Sequence, residues 1–454
     1  MKLVKTSAPG KVLIVGGYLV LERPNVAFVV TTSTRFTAIL KGELSSGKEV
    51  SNSIHLKISS SLERTWFYRI SIEGGHITLE FEPGSDSFTL ERSNPFVECA
   101  VVCGLAVADI DDKAPSNGSL QLELEADPNF YSVSQQGSER MLGKTGLGSS
   151  AALVSSVVAA FSAFFGCKDK ERIVAAAQLA HATAQRKIGS GFDVSAAVRG
   201  SQSYVRFSPD SLERLPFVIE NISNGIMARR SRTSFSSWKL DEIWKTLQLP
   251  LHWNIVLGKT LSGSDTRDFV RKVMQWKAAD SEEALEVWSR LSQLNRKLIG
   301  CIEQLSNFAL HNAEVFETLN NALGNICFGD NWKSVFRTHS QLVGLPEDIL
   351  LLFMETVDSI FKTGRECRML LSLMGRLADV SIEPCSLTSL LDQTLQIPGC
   401  ILVGVPGAGG YDAVFAVVVG EASRKLVENF WNDNSCFPLA SRVDSQGLIF
   451  YEEF

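Results

Sequence analysis

The sequence predicts an α+β protein built as two lobes, and three observations carry that expectation. Segments rich in Val, Ile, Phe and Thr alternate with helical ones through the first half, a long helical stretch fills much of the second, and short apolar strands frame that stretch. Strand-like runs come first, Lys11 to Leu21 and Asn25 to Leu44. From Gly42 to Ser93 the chain is more polar, with Ser-Ser-Gly and Glu-Gly-Gly turns, and it reads as an inserted hairpin region. Phe96 to Ile110 reads as a helix, and Ser119 to Glu125 alternates apolar and polar residues as a half-exposed strand does. Two further helices are expected at Ser149 to Phe165 and Lys170 to Lys187. After Phe207 the composition turns polar and irregular, which puts a domain boundary there: residues 1–225 form one domain and 226–454 the other. The second domain opens with a strand at His252 to Leu257. It is helical from Asp265 to about Ala378, and closes with strands at Cys400 to Val403 and Ala413 to Val419.

Composition narrows the class. At 45% hydrophobic and 21% charged residues, the 454-residue chain can bury cores in two or three domains, and it is not a disordered sequence. A net charge of −6 argues against a general nucleic-acid binder, so an anionic ligand has to be met by locally clustered Lys and Arg. Nine cysteines occur without a C-x-x-C pair, and Cys99 and Cys103 share a helix face; both facts suit buried free thiols in a reducing compartment. The N-terminus lacks an apolar signal region and Glu452-Glu453-Phe454 is no peroxisomal tripeptide, so a cytoplasmic protein is expected, with a peroxisome-like organelle as the alternative. The uncharged stretch Thr145 to Cys167, interrupted by glycines and serines, holds an apolar segment shorter than the ~20 residues of a bilayer span. No membrane association is expected. The six histidines show no metal-ligand spacing.

Within the uncharged stretch, Gly143-Lys-Thr-Gly-Leu-Gly-Ser-Ser-Ala-Ala152 holds the first chemical signal. Its opening resembles the end of a Walker motif, but five residues separate Gly137 from Gly143 where that motif has four, and no buried strand precedes it. The stronger candidate is Gly146-Leu147-Gly148-Ser149-Ser150, a glycine turn running into a helix start, where free N–H groups and the helix dipole favour an anion. Taken alone, an anion site and a loop that merely caps a buried helix remain equally open.

Three other stretches join it. Ala8-Pro9-Gly10-Lys11 places a lysine before an apolar strand and leads to Gly16-Gly17-Tyr18; Gly189-Ser190-Gly191-Phe192-Asp193 presents a carboxylate from a glycine turn; Pro406-Gly-Ala-Gly-Gly-Tyr-Asp412 is a second backbone-rich anion loop. In this order the set resembles the GHMP kinase superfamily of small-molecule kinases over nearly the whole chain. Gly-Gly-Tyr-Leu-Val-Leu, Gly-Ser-Gly-Phe-Asp-Val, Ile382-Glu-Pro, the 405–412 loop and Asn94-Pro95-Phe96 resemble its phosphomevalonate kinase branch, whereas a mevalonate kinase is expected to carry Gly-Glu-His at 16–18. Regulators descended from such kinases are expected to lose the lysine or the aspartate, and this chain keeps Lys11 and Asp193.

The resemblance implies a nucleotide-binding N-terminal lobe and a C-terminal α/β sandwich lobe, with ATP held between them in a syn conformation. It implies ATP-dependent phosphorylation of 5-phosphomevalonate to 5-diphosphomevalonate with Mg²⁺, by a monomer. Carried over, Gly146, Leu147, Gly148, Ser149, Ser150 and Ala151 cradle the nucleotide, and Ser149 and Ser150 hold the metal. Lys11, Asp193 and Lys144 are the catalytic set; Gly17, Tyr18, Lys187, Ser190, Ser264, Thr266, Gly409 and Gly410 line the acceptor site. The chain departs from its relatives at Gln185, where mevalonate kinases supply a magnesium-binding Glu, at Asp265 between Ser264 and Thr266, and at Leu387 before Thr388.

Physical chemistry sets the demand on such a site. A phosphate acceptor with a second pKa near ~6 is already a dianion at neutral pH and needs no base. Bringing it to ATP costs about 4 kcal/mol per pair of unit charges at ~4 Å and an effective dielectric of ~20, so several cations are needed. Lys11, Lys144 and Lys187 are the candidates. Arg267, Arg271, Arg365 and Arg368 lie at helical spacing and suit a solvated face equally well. Asp193 is expected to orient Lys11, and His181 reads as a packed histidine.

Overall fold

The frame of the first lobe is one long antiparallel pair, β1 (Lys2–Val15) with β2 (Val26–Ser45). The computed structural model describes residues 1–45, 53–61, 64–82, 94–108, 117–136, 139–231, 237–260, 266–279, 281–339, 342 and 344–451. After β2 come β3 (Ile54–Ser60), β4 (Arg64–Glu73), β5 (His76–Glu82), α1 (Pro95–Val107) and β6 (Asn117–Ala126). A hairpin of β7 (Tyr131–Gln136) and β8 (Glu139–Lys144) leads to α2 (Ser149–Phe164), α3 (Lys170–Gln185) and α4 (Phe192–Arg199). The lobe continues with β9 (Gln202–Val205), α5 (Pro209–Glu213), β10 (Phe217–Ile222), β11 (Gly225–Arg230) and β12 (Ile243–Thr246).

The second lobe contains β13 (Trp253–Lys259), α6 (Thr266–Ala278), α7 (Glu282–His311), α8 (Ala313–Leu323), α9 (Trp332–Arg337) and α10 (Glu347–Leu377). Then follow α11 (Cys385–Thr394), β14 (Cys400–Gly404), β15 (Ala413–Val419), α12 (Gly420–Asp433) and β16 (Phe437–Pro438). The chain ends the described region with β17 (Ile449–Tyr451).

The expected α+β class in two lobes is what the structure holds. The first sheet runs β10-β11-β5-β4-β3-β6-β2-β1-β17, with β9 joining β2 and β12 joining β9. Because β2 is long, its early residues pair β9 while residues 36–45 pair β6. Helices α1, α2 and α4 pack on this sheet, and α3 lies against α1, α2 and α4. α2 is apolar all round and every residue from Ala151 to Phe164 is buried, so its Val, Leu and Phe side chains contribute about 1.5–3 kcal/mol each. Gly104 lets α1 close onto it, since a Cβ there would lie 2.7 Å from the Phe161 Cβ. Asn94 caps α1 by accepting the Phe96 N–H at 2.9 Å, with Pro95 at the first helical position. The second lobe's sheet, β14-β15-β13-β16, is backed by α10 and α12, while α7 runs antiparallel to α10 and reaches β1 and β2 of the first lobe.

Four sequence expectations change. The first strand begins at Lys2 and ends at Val15, not Lys11 to Leu21: buried Thr6 and Ser7 continue it upstream, and Gly16 (φ 100°) with Tyr18 (φ 62°) ends it. Pro9 offers no N–H to the ladder, and the register shifts between Pro9 and Lys11. The polar region after Gly42 is no insertion, because β3, β4 and β5 are inner strands of the main sheet. The irregular stretch after Phe207 folds as the β10–β11 hairpin, and β12 also belongs to the first sheet, so the division of the chain falls between Thr246 and Trp253 instead of at 225. Finally, the C-terminal segment returns to the first lobe: Ser33 donates to the Arg442 carbonyl at 2.8 Å, Arg35 meets Asp444 at 3.3 Å, and β17 pairs β1.

Cys99 and Cys103 lie buried on α1, and burial pushes both thiols up, Cys99 to about 12. Among the described residues no helix is long and apolar enough to cross a membrane.

Candidate active site

Between the lobes lies a cavity of about 370 Å³ whose walls include Lys11, Gly146, Leu147, Lys187, Ser190, Asp193 and the Pro406–Gly409 loop. Its floor is the glycine turn ahead of α2. Gly146 (φ 81°) and Gly148 (φ 76°) both stand in left-handed backbone, which glycine adopts at no steric cost. The turn hangs on the register shift of β1: the Lys11 N–H donates to the Leu147 carbonyl at 2.9 Å, and its ammonium donates to the Gly146 carbonyl at 3.2 Å. Directly beyond, the first-turn N–H groups of α2 have no intrahelical acceptors. Ser149 is buried and hydrogen-bonded to Tyr131, whose phenol is pushed up by burial. Ser150 shares a 3.1 Å hydrogen bond with His181. Ala151 is 1% exposed and faces the core, so only its N–H is open to a ligand.

Asp193 sits in the first turn of α4, where its Oδ1 accepts its neighbour Val194 N–H at 3.0 Å. Gly191 (φ 78°) starts that helix, and its carbonyl accepts from buried Gln178 at 2.6 Å. Lys11 lies 5.4 Å from the ring centre of Phe192. Burial lowers the Lys11 pKa below the ordinary lysine value, and the Asp193 charge acts in the opposite sense. Among the described residues the two make no direct ion pair, so Asp193 acts on Lys11 through its field and not by contact.

The far wall is the 406–410 loop, held from both lobes. The Tyr18 hydroxyl donates to the Ala408 carbonyl at 2.6 Å, and the Gly410 N–H donates to Ile382 at 2.8 Å. Gly17 packs on this loop so closely that a Cβ would sit 2.7 Å from the Gly407 carbonyl oxygen. Gly17 therefore faces a smaller neighbouring cavity and not the main one. Replacing Tyr18 by Phe removes one hydrogen bond and leaves a carbonyl unsatisfied, a loss of about 1–3 kcal/mol. We expect a lower melting temperature, and unaltered melting would rule out the Tyr18 contact as a link between the lobes.

Of the expected cations, Lys11 and Lys187 reach the cavity, Lys187 from an exposed position at its rim. Lys144 ends β8 and Thr266 opens α6, but their side chains, with that of Arg267, lie outside the described residues, as do Ser264 and Asp265 altogether. Arg271 pairs with Asp268, Arg365 stacks on Phe361 at 5.7 Å, and Arg368 is taken by Glu383 and Asp392. These three are engaged within the protein.

Sequence reasoning missed several supports. His181 is more than packing: its imidazole lies on Phe96 at 5.4 Å, between Ser150 and the Gln185 amide, 2.5 and 2.9 Å from two ring nitrogens. Arg206 gathers the carbonyls of Leu21, Ile188 and Gly189, and Tyr204 holds that of Ser190 at 2.9 Å. The helical spacing from His181 to Gln185 was the only local signal. Among the described residues no three carboxylate, histidine or cysteine groups converge as a metal cage.

Comparison with known proteins follows the same lines. The model of the GHMP kinases N terminal domain matches residues 132–201. The chain is 33% identical to the peroxisomal phosphomevalonate kinase of Arabidopsis thaliana, covering 98% of this chain and 95% of that protein. It is 30% identical to the phosphomevalonate kinase of Gibberella zeae, covering 94% and 90%. A crystal structure of Streptococcus pneumoniae phosphomevalonate kinase in complex with phosphomevalonate and AMPPNP superposes with a TM-score of 0.59 at 15% identity, covering 98% of this chain and 100% of that one. The Lin0012 protein of Listeria innocua superposes at 0.64 and 18% identity, each chain covered fully at 100%. At those identities the structural likeness is one of fold.

Proposed function

The chain belongs to the phosphomevalonate kinase family, and from that premise we propose how its own residues carry the reaction. The enzyme phosphorylates 5-phosphomevalonate with ATP, giving 5-diphosphomevalonate for isoprenoid and sterol synthesis. An oxygen of the acceptor phosphate forms the new P–O bond to the γ-phosphorus, the bridging P–O bond to the β-phosphate breaks, and ADP leaves with that electron pair.

The observation that carries this reading is the Gly146–Gly148 turn at the start of α2, hung on the backbone of Lys11 and facing Asp193 across one cavity. The turn and the α2 N–H groups from Ser149 to Ala151 receive the ATP phosphates. Lys11 neutralises charge on the transferred group, Lys187 adds charge at the mouth, and Tyr18, Ser190, Gly409 and Gly410, with Gly17 behind them, enclose the acceptor; the family resemblance adds Lys144 to the catalytic set and Ser264 and Thr266 to the acceptor set. Asp193 keeps Lys11 protonated against its burial; no base is needed, because the acceptor is already a dianion.

Magnesium would fit this donor set alongside a bound nucleotide. Hydroxyls at the head of α2 and the neutral Gln185 amide are ligands of that kind, whereas among the described residues no three carboxylate, histidine or cysteine groups converge as a protein-only cage. Ser149 and Ser150 would hold it, each keeping a lone pair beyond its present hydrogen bond. When bound, the ion would neutralise phosphate charge.

We propose a working monomer located in the cytoplasm. Light scattering and imaging of the tagged protein test these two statements, with a peroxisomal signal as the competing outcome, given the name of the Arabidopsis relative.

A coupled ADP-release assay over mevalonate, phosphomevalonate and diphosphomevalonate tests the function. Turnover is expected with phosphomevalonate alone, and preference for either of the others overturns the assignment.

The lowered Lys11 pKa has a pH consequence. Protonated Lys11 is the working form and its pKa lies below 10.5, so kcat/KM falls as pH rises through that depressed value. Lys11→Arg keeps its charge past about pH 12 and should lose this alkaline limb, whatever its maximum rate. An unchanged limb in the Arg variant would assign the titration to another group.

A further inference from the structure

Behind the 406–410 loop, away from the nucleotide turn, lies an ion pair that the chemistry above leaves unused. The Arg368 guanidinium on α10 meets both carboxylate oxygens of Glu383, at 2.6 and 3.0 Å, and Asp392 of α11 at 3.0 Å. The Arg368 and Glu383 side chains are 11% and 4% exposed. Such a two-pronged contact fixes direction as well as distance. Buried, it adds little net stability over an apolar pair of similar size, which directs attention to what it orients.

Glu383 directly follows Ile382, whose carbonyl receives the Gly410 N–H at 2.8 Å. The same carbonyl oxygen would lie 2.3 Å from a Cβ on Gly409, so the loop rests on it without slack. Ile382 itself is 2% exposed, packed in one cluster with Tyr18, Leu19 and Met374. Arg368, Glu383, Gly17 and Gly407 share the walls of the small cavity of about 40 Å³ between the pair and the loop.

We propose that Arg368 and Glu383 are positioning residues for the 406–410 loop and, through it, for the phosphate acceptor. The fork holds the Glu383 backbone, which sets the direction of the Ile382 carbonyl, which in turn holds Gly410 and Gly409 at φ 94° and 72°. Tyr18 is the opposite anchor. The second step rests on the function proposed above, since a reacting phosphate must be held to within a fraction of an ångström.

The test combines hydrogen exchange with kinetics on the full chain. In Glu383→Gln, amide exchange in the 404–412 peptide should quicken at least about tenfold while the 146–152 peptide is unchanged, and the KM for phosphomevalonate should rise at least about tenfold with the ATP KM held within about twofold. Adding Arg368→Met removes the stranded charge and should restore melting temperature, yet leave loop exchange fast and the acceptor KM high. A purely structural pair would recover all three together. Arg368→Lys keeps the charge but loses the fork, and serves if Glu383→Gln does not fold. Unchanged loop exchange in a folded single variant, or return of the acceptor KM with the melting temperature in the double, overturns the proposal. If the wild-type protein fails to turn over phosphomevalonate, the function is wrong, while loop exchange still decides what the pair holds.

Discussion

Gly148→Val is expected to abolish ATP binding while the protein stays folded. The backbone at Gly148 has φ 76°, a conformation that a β-branched residue adopts only under strain. A Cβ there would also lie 2.7 Å from Cε of Lys11 and 3.4 Å from its Nζ. Either the turn flattens, withdrawing its N–H groups from the phosphates, or Lys11 is expelled from the cavity; both routes remove anion affinity. The cost to folding is of order 1–3 kcal/mol, small beside a typical stability of ~5–15 kcal/mol, because the buried face of α2 still anchors the helix. We expect ATP affinity to fall by more than about a hundredfold and turnover by about a thousandfold or more, with native circular dichroism. Gly146→Ala makes the internal comparison: φ is 81° but nothing lies within 4 Å of the added Cβ, so strain acts without collision and the loss should be smaller than in Gly148→Ala. Calorimetric titration with ATP decides; normal binding by a folded Gly148→Val protein would falsify the loop assignment.

How far the sequence disclosed this site depends on how local each part is. The glycine turn, the α2 helix behind it and Asp193 at the head of α4 announce themselves within a dozen residues, because left-handed turns demand glycine and an apolar run of helical length must be buried. β15 lies where its Val-rich run predicts, from Ala413 to Val419. What escaped is held by distant partners. Thr6 and Ser7 look like surface residues in sequence, yet both are 0% exposed: the Thr6 hydroxyl donates to Ser156 of α2 at 2.8 Å, and β17, from the far end of the chain, covers this part of β1. The return of residues 441–451 to the first lobe has no local signature, since its partners Ser33, Arg35 and Val198 lie hundreds of positions upstream. Likewise Arg368 at helical spacing looks like a solvated charge until the chain after α10 brings Glu383 against it.

Lys11→Ala and Asp193→Asn should each cost turnover heavily, yet together cost far less than the product of the two losses. Lys11 supplies charge where it develops on the transferred phosphoryl group, so its removal should lower kcat by about a hundredfold to a thousandfold, or ~2.7–4 kcal/mol. Asp193 has no proton to take from a phosphate dianion. Its oxygen is turned to its own helix N–H, it makes no direct pair with Lys11 among the described residues, and its charge opposes the lowering of the Lys11 pKa by burial. Asp193→Asn should therefore act by weakening Lys11: the substitution lets the Lys11 pKa drop further, so the alkaline limb of the rate profile moves to lower pH. Once Lys11 is absent, Asp193 has little left to support, and the second substitution should add no more than about a tenfold loss, as residues acting as one unit do. An acid–base mechanism predicts the opposite pattern. With Asp193 as an independent base, Asp193→Asn would gain activity in proportion to hydroxide concentration, and the two losses would multiply. Profiles of kcat against pH for both single variants and the double variant separate the cases, and a hydroxide-proportional rescue would overturn the electrostatic role assigned to Asp193.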